Sequence, residues 1–218
     1  LRQQGLRTHF RVVPDSARPF PVTLNMPGRH NVLNALAAIG VALELGVEPV
    51  VIQQALAGFQ GIGRRFQART CRLPGAGEVL LVDDYGHHPR EVAATLQAVR
   101  DGWPGRRLLL AFQPHRYSRT QEQFEDFVQV LSRADVLVLT EVYPAGETPV
   151  PGADGRSLSR AVRARGQVDP VFVDPLSELP EVLSGLLRDG DVVLMLGAGD
   201  IGAVAAALPE AICAGGGA

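Results

Sequence analysis

The chain of 218 residues contains no lysine, and arginine supplies all 21 of its positively charged side chains. A phosphate-binding loop of the G-x-x-x-x-G-K-[ST] type requires a lysine, so this chain does not carry one. Cysteine is also scarce, because only Cys71 and Cys213 are present, far apart and without the spacing of metal ligands. We therefore expect two unpaired thiols in a reducing compartment rather than a disulfide framework.

Long apolar runs and an excess of one charge are missing as well. No run approaches the ~18 apolar residues that a membrane span needs, and the first residues lack the apolar core of a secretion signal. The formal net charge is -2, which gives no support for a nucleic-acid or membrane-surface partner. We expect a cytoplasmic protein without nucleic-acid or membrane partners.

The first sixty residues predict a small mixed unit. Short apolar runs at 9–13 and 21–25 indicate two strands, and apolar residues at helical spacing predict a helix from Val32 to about Leu45. A shorter helix is predicted from about Pro49 to Leu56. The segment from Phe59 to Phe66 is rich in glycine and arginine, and we interpret it as a hinge between two units.

The remainder alternates between apolar runs and helical patterns. Continuous apolar runs are typical of strands that are covered on both faces, and strict alternation with helices predicts a parallel sheet with right-handed crossovers. We therefore predict an α/β, Rossmann-like, mostly parallel sheet with helices on both faces. The predicted strands are 79–82, 108–112, 136–139, 171–173 and 192–196, and the predicted helices are 89–100, 121–131, 157–165, 176–187 and 201–208.

Polar residues collect directly after four of these strands, in the segments 83–89, 113–120, 141–147 and 197–202. In open parallel sheets, ligands bind at the carboxyl ends of the strands. The four segments are therefore expected to line one edge of the sheet. Four of the five histidines lie in polar motif segments: His30, His87, His88 and His115. We assign no role to His9.

Arg116 and Arg119 are three residues apart at a predicted helix start, so they can face the same way. Paired guanidinium groups suit a carboxylate or a phosphate, and a helix amino terminus also attracts anions. His115 lies beside them. The alternative interpretation is a solvated basic patch at the start of a helix.

The segment Asp83-Asp84-Tyr85-Gly86-His87-His88-Pro89 leaves several roles open. Its carboxylates could cap the following helix, hold a ribose diol or bind a metal, although the histidines have no recognised zinc spacing. A neutral imidazole near an amine substrate would be a plausible proton acceptor.

The segment Gly197 to Gly202 matches G-x-G-x-x-G after a strand. The match would suggest a dinucleotide site, but no further strand with an acidic residue follows it. A tight turn into a last helix is the favoured interpretation, with backbone N–H groups that could approach an anion. A nicotinamide-dependent oxidoreductase is the alternative.

Six segments in this order make the chain similar to the C-terminal half of the Mur ligase family. They are 27–35, 61–66, 83–89, 113–120, 141–147 and 197–202. The form with Tyr85 and Gly86 resembles the alanine-adding branch, whereas the branch that recycles murein tripeptide typically carries Phe and Ala there. The tripeptide remains an alternative substrate.

The resemblance implies that residues 1–61 end a central ATPase domain and that 62–218 form the C-terminal, amino-acid-binding domain. It implies an ATP-dependent ligase that joins L-alanine to UDP-N-acetylmuramate through an acyl phosphate in peptidoglycan synthesis, with ATP and Mg²⁺. The phosphate-binding loop and the Mg²⁺ ligands would lie before Leu1. The chain alone is therefore expected to be inactive, and a non-catalytic nucleotide-binding module is a further alternative.

The resemblance also implies roles for individual residues. His87 is expected to be the catalytic residue. The implied nucleotide-binding residues are His30, Asn31, Asn34, Arg65 and Asp84, and the implied L-alanine-binding residues are His115, Arg116 and Arg119.

Overall fold

The computed structural model describes residues 1–15, 18–74 and 77–213. These residues group into two compact units. The first contains residues 1–63 and 97–105, and the second contains residues 64–96 and the chain from 106 onward. The division after Gly63 lies beside the boundary that the sequence predicts at residue 61.

The first unit contains a three-stranded antiparallel sheet and two helices. The sheet order is β1-β2-β3, from Arg2–Gln4, Arg7–Val12 and Phe20–Leu24, and the helices are α1, Arg29–Glu44, and α2, Pro49–Gly58. Alternate residues of β2 are buried, and the core joins Phe10 and Val22 to Ile39 of α1 and Ile52 of α2. β1 was not predicted because its residues, Arg-Gln-Gln, carry no apolar signal.

The second unit is built on a six-stranded sheet of order β4-β5-β9-β6-β7-β8. In chain order the elements after residue 63 are β4 Gln67–Leu73, β5 Gly77–Asp84, α3 Pro89–Gly102, β6 Leu108–Phe112, α4 Tyr117–Glu122, α5 Phe124–Leu131, β7 Val136–Thr140, α6 Gly155–Arg165, β8 Val171–Val173, α7 Leu179–Leu186, β9 Val192–Leu196 and α8 Ile201–Ile212. The last residues of α3, from 97 onward, belong to the first unit. All neighbouring strands are parallel except β4, which pairs antiparallel with β5 at one edge.

Helices cover both faces of this sheet, as predicted. On one face Leu109 and Val193 belong to a core that includes Leu183 of α7 and Leu208 of α8. The neighbouring residues of the same strands point the other way, where Phe112 of β6 contacts Phe127 of α5 with ring centroids 5.5 Å apart. The predicted α/β class is confirmed.

Three local predictions were wrong. β4 was missed because an edge strand needs apolar residues on one face only, and just Cys71 and Leu73 are buried. The single helix predicted at 121–131 begins earlier and consists of α4 and α5, which divide at Gln123. The helix predicted from Leu176 begins with a 3₁₀ turn before α7.

The expectation of two unpaired thiols was also wrong, because Cys71 and Cys213 form a disulfide with Cα atoms 5.5 Å apart. Cys71 lies at the inner face of β4, in the same core as Ile212 at the end of α8, and Cys213 packs against that core. The pairing joins residues 142 positions apart. The spacing of the two cysteines along the sequence does not predict this contact, because the contact follows from the order of the strands in the sheet.

No helix among the described residues combines the length and the apolar character that crossing a bilayer requires.

We expect Gly155→Ala to lower the free energy of unfolding by about 1–3 kcal/mol, the usual range for overpacking. An added Cβ would overlap the backbone carbonyl of Thr140 and lie 3.0 Å from the Cα of Glu141, and neither can move aside easily. The matched control is Gly185→Ala in α7, where nothing lies within 4 Å. That change should stabilise by up to about 1 kcal/mol. Urea unfolding measures both, and equal effects would contradict the packing argument.

Candidate functional site

The carboxyl ends of β5, β9, β6 and β7 lie side by side, because these four strands are adjacent and parallel. The four polar segments that follow them therefore share one edge of the second unit. The rings of His87 and His115, from two different segments, lie 5.7 Å apart between centroids. We call the surface around these two histidines the strand-end site.

His115 is held by the segment that follows β7. The backbone N–H of Tyr143 donates to the carbonyl of Pro114 at 2.8 Å, and the N–H of Arg116 donates to the carbonyl of Tyr143 at 2.9 Å. These two bonds continue the pairing of β6 and β7 past the strand ends. The ring of Tyr143 stacks on His115 with centroids 5.4 Å apart, which orients the imidazole.

Hydrogen bonds give the two imidazoles opposite tautomers. His87 Nδ1 lies 3.1 Å from the carbonyl oxygen of Tyr85, and a carbonyl can only accept, so the proton is on Nδ1 and Nε2 carries the lone pair. His115 Nδ1 lies 3.3 Å from a guanidinium nitrogen of Arg119, which can only donate, so His115 carries its proton on Nε2. The site thus offers one ring nitrogen that accepts and one that donates.

The neutral form of His115 is favoured. Burial lowers its pKa, and the positive charge of Arg119 lowers it further. An imidazole with a lowered pKa is uncharged at neutral pH and does not repel a positively charged amine that arrives in the site.

The two arginines have different surroundings. Arg119 donates to the backbone carbonyl of its neighbour His115 at 3.0 Å and so supports that imidazole. The Arg116 side chain is 50% exposed, and its nearest acidic partner, Glu147, is 4.0 Å away. Arg116 also has a left-handed backbone, with φ 73°, a conformation that costs a non-glycine residue free energy and often marks functional positions.

Glu147 occupies the start of α4, where the sequence suggested an anion site. Its carboxylate accepts from the backbone N–H of Ser118 at 3.0 Å and from the Ser118 hydroxyl at 2.7 Å. These bonds from Ser118 lower the pKa of Glu147. The chain therefore supplies its own anion to this helix start, and the Arg116 side chain beside it is half exposed.

Asp84 supports the local backbone. Its side chain is buried, and its two carboxylate oxygens accept from the backbone N–H groups of Phe66 at 2.9 Å and Gly86 at 2.8 Å. Asp83 instead faces Arg64 at 3.4 Å. Burial raises the pKa of Asp83, and Arg64 offsets only part of that rise.

Arg64 and Arg65 lie near the ring of Tyr85, with guanidinium carbons 5.1 Å and 5.9 Å from its centroid. Arg64 also donates to the carbonyl of Gly197. Arg65 is exposed. The exposed guanidinium of Arg65 and the ring of Tyr85 therefore lie together directly after β5.

The glycine-rich segment is a tight turn into α8, which is the interpretation favoured from the sequence. A Cβ on Gly199 would lie 2.6 Å from Cγ of Tyr143 and would overlap the side chain of Gln113. Gln113 itself is buried, accepts from the backbone N–H of Ile201 at 3.0 Å and donates to Asp200 at 2.6 Å. The glycines therefore allow a close approach that a side chain would prevent.

The predicted residues His30, Asn31 and Asn34 all lie in the first turns of α1, in the first unit. Asn31 is buried and donates to the carbonyl of Pro27 at 2.8 Å, whereas Asn34 is exposed. Their roles stay predictions. Among residues 1–15, 18–74 and 77–213, no group of three or more histidine, cysteine or acidic side chains is arranged to hold a metal.

The protein family described as "Mur ligase, glutamate ligase domain" matches residues 64–199, which is more than half of the chain. The chain belongs to the Mur ligase family. The match contains three of the four segments of the strand-end site completely and the first three residues of the fourth, so the resemblance stated from the sequence is confirmed.

Two curated relatives of this Mur ligase chain are named UDP-N-acetylmuramate–L-alanine ligase. The protein of Methylococcus capsulatus is 60% identical over 210 residues, which are 96% of this chain and 44% of the relative. That of Halorhodospira halophila is 58% identical over 218 residues, which are 100% of this chain and 45% of the relative. The chain therefore spans less than half the length of the relatives it matches.

A solved structure agrees with these relatives. The crystal structure of UDP-N-acetylmuramate–alanine ligase from Thermotoga maritima superposes with a TM-score of 0.79 at 30% sequence identity. The superposition covers 96% of this chain and 44% of that one. The fold is therefore that of a Mur ligase C-terminal portion.

Sequence reasoning missed four residues that organise the strand-end site: Arg64, Glu91, Gln113 and Tyr143. Each acts through a contact between segments that are distant in the chain or through a backbone bond. The strand-end position of Gln113 and Tyr143 was a usable signal, since both lie in segments already marked as polar.

We expect Glu91→Gln to lower the free energy of unfolding by about 0.5–1 kcal/mol at pH 7, the low end for capping bonds because the side chain is partly exposed. Glu91 accepts from the backbone N–H groups of His87 and His88 at 2.9 and 3.1 Å. Burial alone would raise the pKa of Glu91, but these bonds outweigh burial and lower the pKa below its ordinary 4.5.

Because the folded-state pKa of Glu91 is depressed, its stabilising contribution is present above pH 4.5 and disappears as the pH falls through the folded-state value. Urea unfolding of the wild type and the Glu91→Gln variant at pH 7 and pH 4 measures this. The difference should shrink in acid, and a difference that stays constant would contradict the assignment of Glu91 as an ionised cap.

Proposed function

We propose that this chain is the C-terminal half of an ATP-dependent ligase that joins L-alanine to the carboxylate of UDP-N-acetylmuramate in cytoplasmic peptidoglycan synthesis. The first unit would be the end of its ATPase domain, and the second would be its amino-acid-binding domain. The observation that carries the proposal is the cluster of His87, His115 and Arg116 at one sheet edge. Identity of 58–60% to relatives named for this reaction supports it.

The cluster suits a small zwitterion such as L-alanine. In this proposal the guanidinium of Arg116, half-exposed and only 4.0 Å from its acidic neighbour, takes the carboxylate, and Arg119 contributes through the imidazole that it supports. His115 donates from Nε2, and His87 accepts at Nε2. The carboxylate of one small amino acid would thus meet a cation and a hydrogen-bond donor, and its amine would meet a hydrogen-bond acceptor.

The chemistry needs an unprotonated amine. In the proposed reaction, the sugar-linked carboxylate attacks the γ-phosphate of ATP, which releases ADP and forms an acyl phosphate. The alanine amine then attacks that carbonyl carbon with loss of phosphate. His87 would take the amine proton at Nε2 as the carbon–nitrogen bond forms. Anchoring the amino acid by its carboxylate replaces a bimolecular encounter with a positioned one.

The nucleotide residues belong to the same proposal. His30, Asn31 and Asn34 would meet the adenine base, Arg65 the phosphates and Asp84 the ribose. The exposed Arg65 beside the Tyr85 ring suits a phosphate. Asp84 already accepts two backbone bonds, so we propose that, besides meeting the ribose, it shapes the segment beside Arg65. Mg²⁺, when bound, would supply charge stabilisation to the phosphates.

Exposed apolar side chains on the first unit support the view that other segments cover it. On α1 and α2 these are Leu33, Leu36, Val41, Val50 and Val51. Exposed apolar patches often mark interaction sites in soluble proteins. We propose that the preceding half of the ligase covers these helices.

The test uses the longer protein that contains this chain, with UDP-N-acetylmuramate, Mg²⁺ and ATP. Phosphate release should depend on L-alanine and should remain at background with D-alanine, D-glutamate or the murein tripeptide L-alanyl-γ-D-glutamyl-diaminopimelate. The 218-residue chain alone should release none. Activity with the tripeptide but not with L-alanine would show that the tripeptide is the substrate. Alanine-dependent phosphate release by the 218-residue chain alone would contradict the proposal that this chain is only half of the ligase.

A further inference from the structure

The second unit has a cavity that the proposed reaction does not use. It lies between α6 and the edge strand β8 and has a volume of about 320 Å³. Its lining residues are Arg156, Ser159, Arg160, Arg163 and Phe172. We call it the α6–β8 groove. A volume of this size exceeds that of a simple inorganic ion and lies at the lower end of the range of small-molecule sites.

The groove is cationic because α6 presents three arginines on one face. Arg156, Arg160 and Arg163 are separated by four and three residues, which brings them together on a helix surface. Arg156 is paired with Asp174 at 3.4 Å, and Arg163 is paired with Asp169.

Within the described ranges of the chain, Arg160 makes no hydrogen bond, ion pair or ring contact. Three guanidinium groups therefore face two carboxylates, and one full positive charge of this lining remains uncompensated. Arg163 also donates to the carbonyl of Pro170 at 2.8 Å, which holds its side chain in place. The guanidinium of Arg160 is therefore the one that is left to bind a ligand.

Ser159 is the second, independent indication of a ligand. The residue is only 3% exposed, and its hydroxyl oxygen is buried without a hydrogen-bond partner among residues 1–15, 18–74 and 77–213. A helical serine usually bonds back to the carbonyl four residues earlier, and this one does not. A buried polar group without a partner is costly, so an acceptor atom that enters the groove would relieve the cost.

Phe172 provides an apolar wall. Its ring packs against Gly155 at the start of α6 and carries the guanidinium of Arg156 over one face at 4.4 Å from the centroid. An aromatic wall beside a cation and a hydroxyl donor suits a ligand that has both a planar ring and an anionic head.

We infer that the α6–β8 groove binds a small phosphate monoester that carries an aromatic ring. The phosphate accepts from Arg160 and from the Ser159 hydroxyl, and the ring lies against Phe172. Two negative charges and several acceptor oxygens match the open guanidinium and the unpartnered hydroxyl better than a neutral ligand does. The inference is independent of the proposed ligase function, since none of its residues takes part in that reaction.

Isothermal titration of the 218-residue chain with phenyl phosphate tests the inference, with inorganic phosphate and phenol as the half-ligands. Phenyl phosphate should bind with a dissociation constant in the millimolar range or below, and each half-ligand should bind at least tenfold more weakly. Inorganic phosphate that binds as tightly as phenyl phosphate would overturn the role of Phe172. Absence of phenyl phosphate binding would overturn the site.

Variants locate the binding. Arg160→Ala should weaken phenyl phosphate at least tenfold, and Ser159→Ala should weaken it several-fold while leaving the melting temperature unchanged or raised. The matched control is Arg165→Ala, an exposed arginine on the same helix outside the groove, which should change affinity less than twofold. Arg116→Ala serves as the control for binding at the strand-end site. Loss of affinity in either control with retention in Arg160→Ala would overturn the assignment.

Discussion

Arg116→Ala is expected to raise the KM for L-alanine by about a hundredfold in the longer ligase, with a smaller change in kcat. A charge-assisted bond between guanidinium and carboxylate contributes about 1.5–3 kcal/mol, and the upper value corresponds to roughly two orders of magnitude in binding. The Arg116 side chain is 50% exposed, so its removal leaves no buried partner without a bond. The rise in KM therefore measures the lost bond to the substrate carboxylate and not a damaged fold.

A glycine variant separates the effect of the Arg116 guanidinium from the effect of its left-handed backbone. Its φ of 73° is strained for any side chain, so Arg116→Gly should be about 1 kcal/mol more stable than Arg116→Ala. Both variants lack the guanidinium and should share the same raised KM. Initial rates against L-alanine concentration, together with urea unfolding, measure the pair.

The matched control is again Arg165→Ala, which removes the same charge from an exposed position. It should leave the KM for L-alanine within twofold of the wild type. If Arg116→Ala and Arg165→Ala behave alike in this assay, Arg116 does not bind the substrate carboxylate, and the proposed amino-acid pocket must be placed elsewhere along the sheet edge.

The central strands of the second unit could be predicted closely because burial on both faces demands an apolar residue at every position. β6 and β9 are fully buried along their length, and their predicted ranges coincide with the observed ones. β4 obeys a different rule, since an edge strand covered on one face tolerates polar residues at alternate positions. Its sequence Gln-Ala-Arg-Thr-Cys-Arg-Leu therefore carries little signal.

The location of the candidate site could be predicted for a related reason. In a parallel sheet the strand order fixes which loops share an edge, and polar residues there stand out against apolar runs. The sequence thus predicted that His87 and His115 would lie close together, and their rings are 5.7 Å apart.

The finer arrangement could not be predicted, because it depends on bonds between segments that the sequence does not pair. Aspartate was considered as the cap of α3, but Glu91 bonds the N–H groups before that helix, and Asp84 bonds Phe66 and Gly86 instead. Arg116 and Arg119 were predicted to act alike because their spacing puts them on one helix face. The structure gives them different neighbours: Glu147 lies beside Arg116, and His115 lies beside Arg119.

The disulfide between Cys71 and Cys213 leads to the largest expected change in stability. We expect Cys213→Ser to lower the free energy of unfolding of the oxidised protein by about 5 kcal/mol, the value of the loop-closure relation for a long loop. The bond closes a loop across a sequence separation of 142 residues, so it restricts nearly the whole second unit in the unfolded state. Few single substitutions change stability by this much.

The folded state adds a local reason for the effect. The disulfide ties the end of α8 to β4, while Ile201 at the start of α8 is bonded through its N–H to Gln113 at the strand-end site. α8 also supplies Ala205 and Leu208 to the core. Without the bond, the end of α8 should open before the rest of the unit, and hydrogen exchange of its backbone amides should report that opening.

Urea unfolding with and without dithiothreitol measures the contribution of the disulfide. The reduced wild type should match Cys213→Ser, and the variant itself should not respond to the reductant. The proposed cytoplasmic location makes the reduced state the relevant one, because cellular thiols keep cysteines reduced there, so the ligase must work with the lower stability. Two titratable thiols in protein purified without reductant, together with equal stability of the wild type and the variant, would show that the bond does not form.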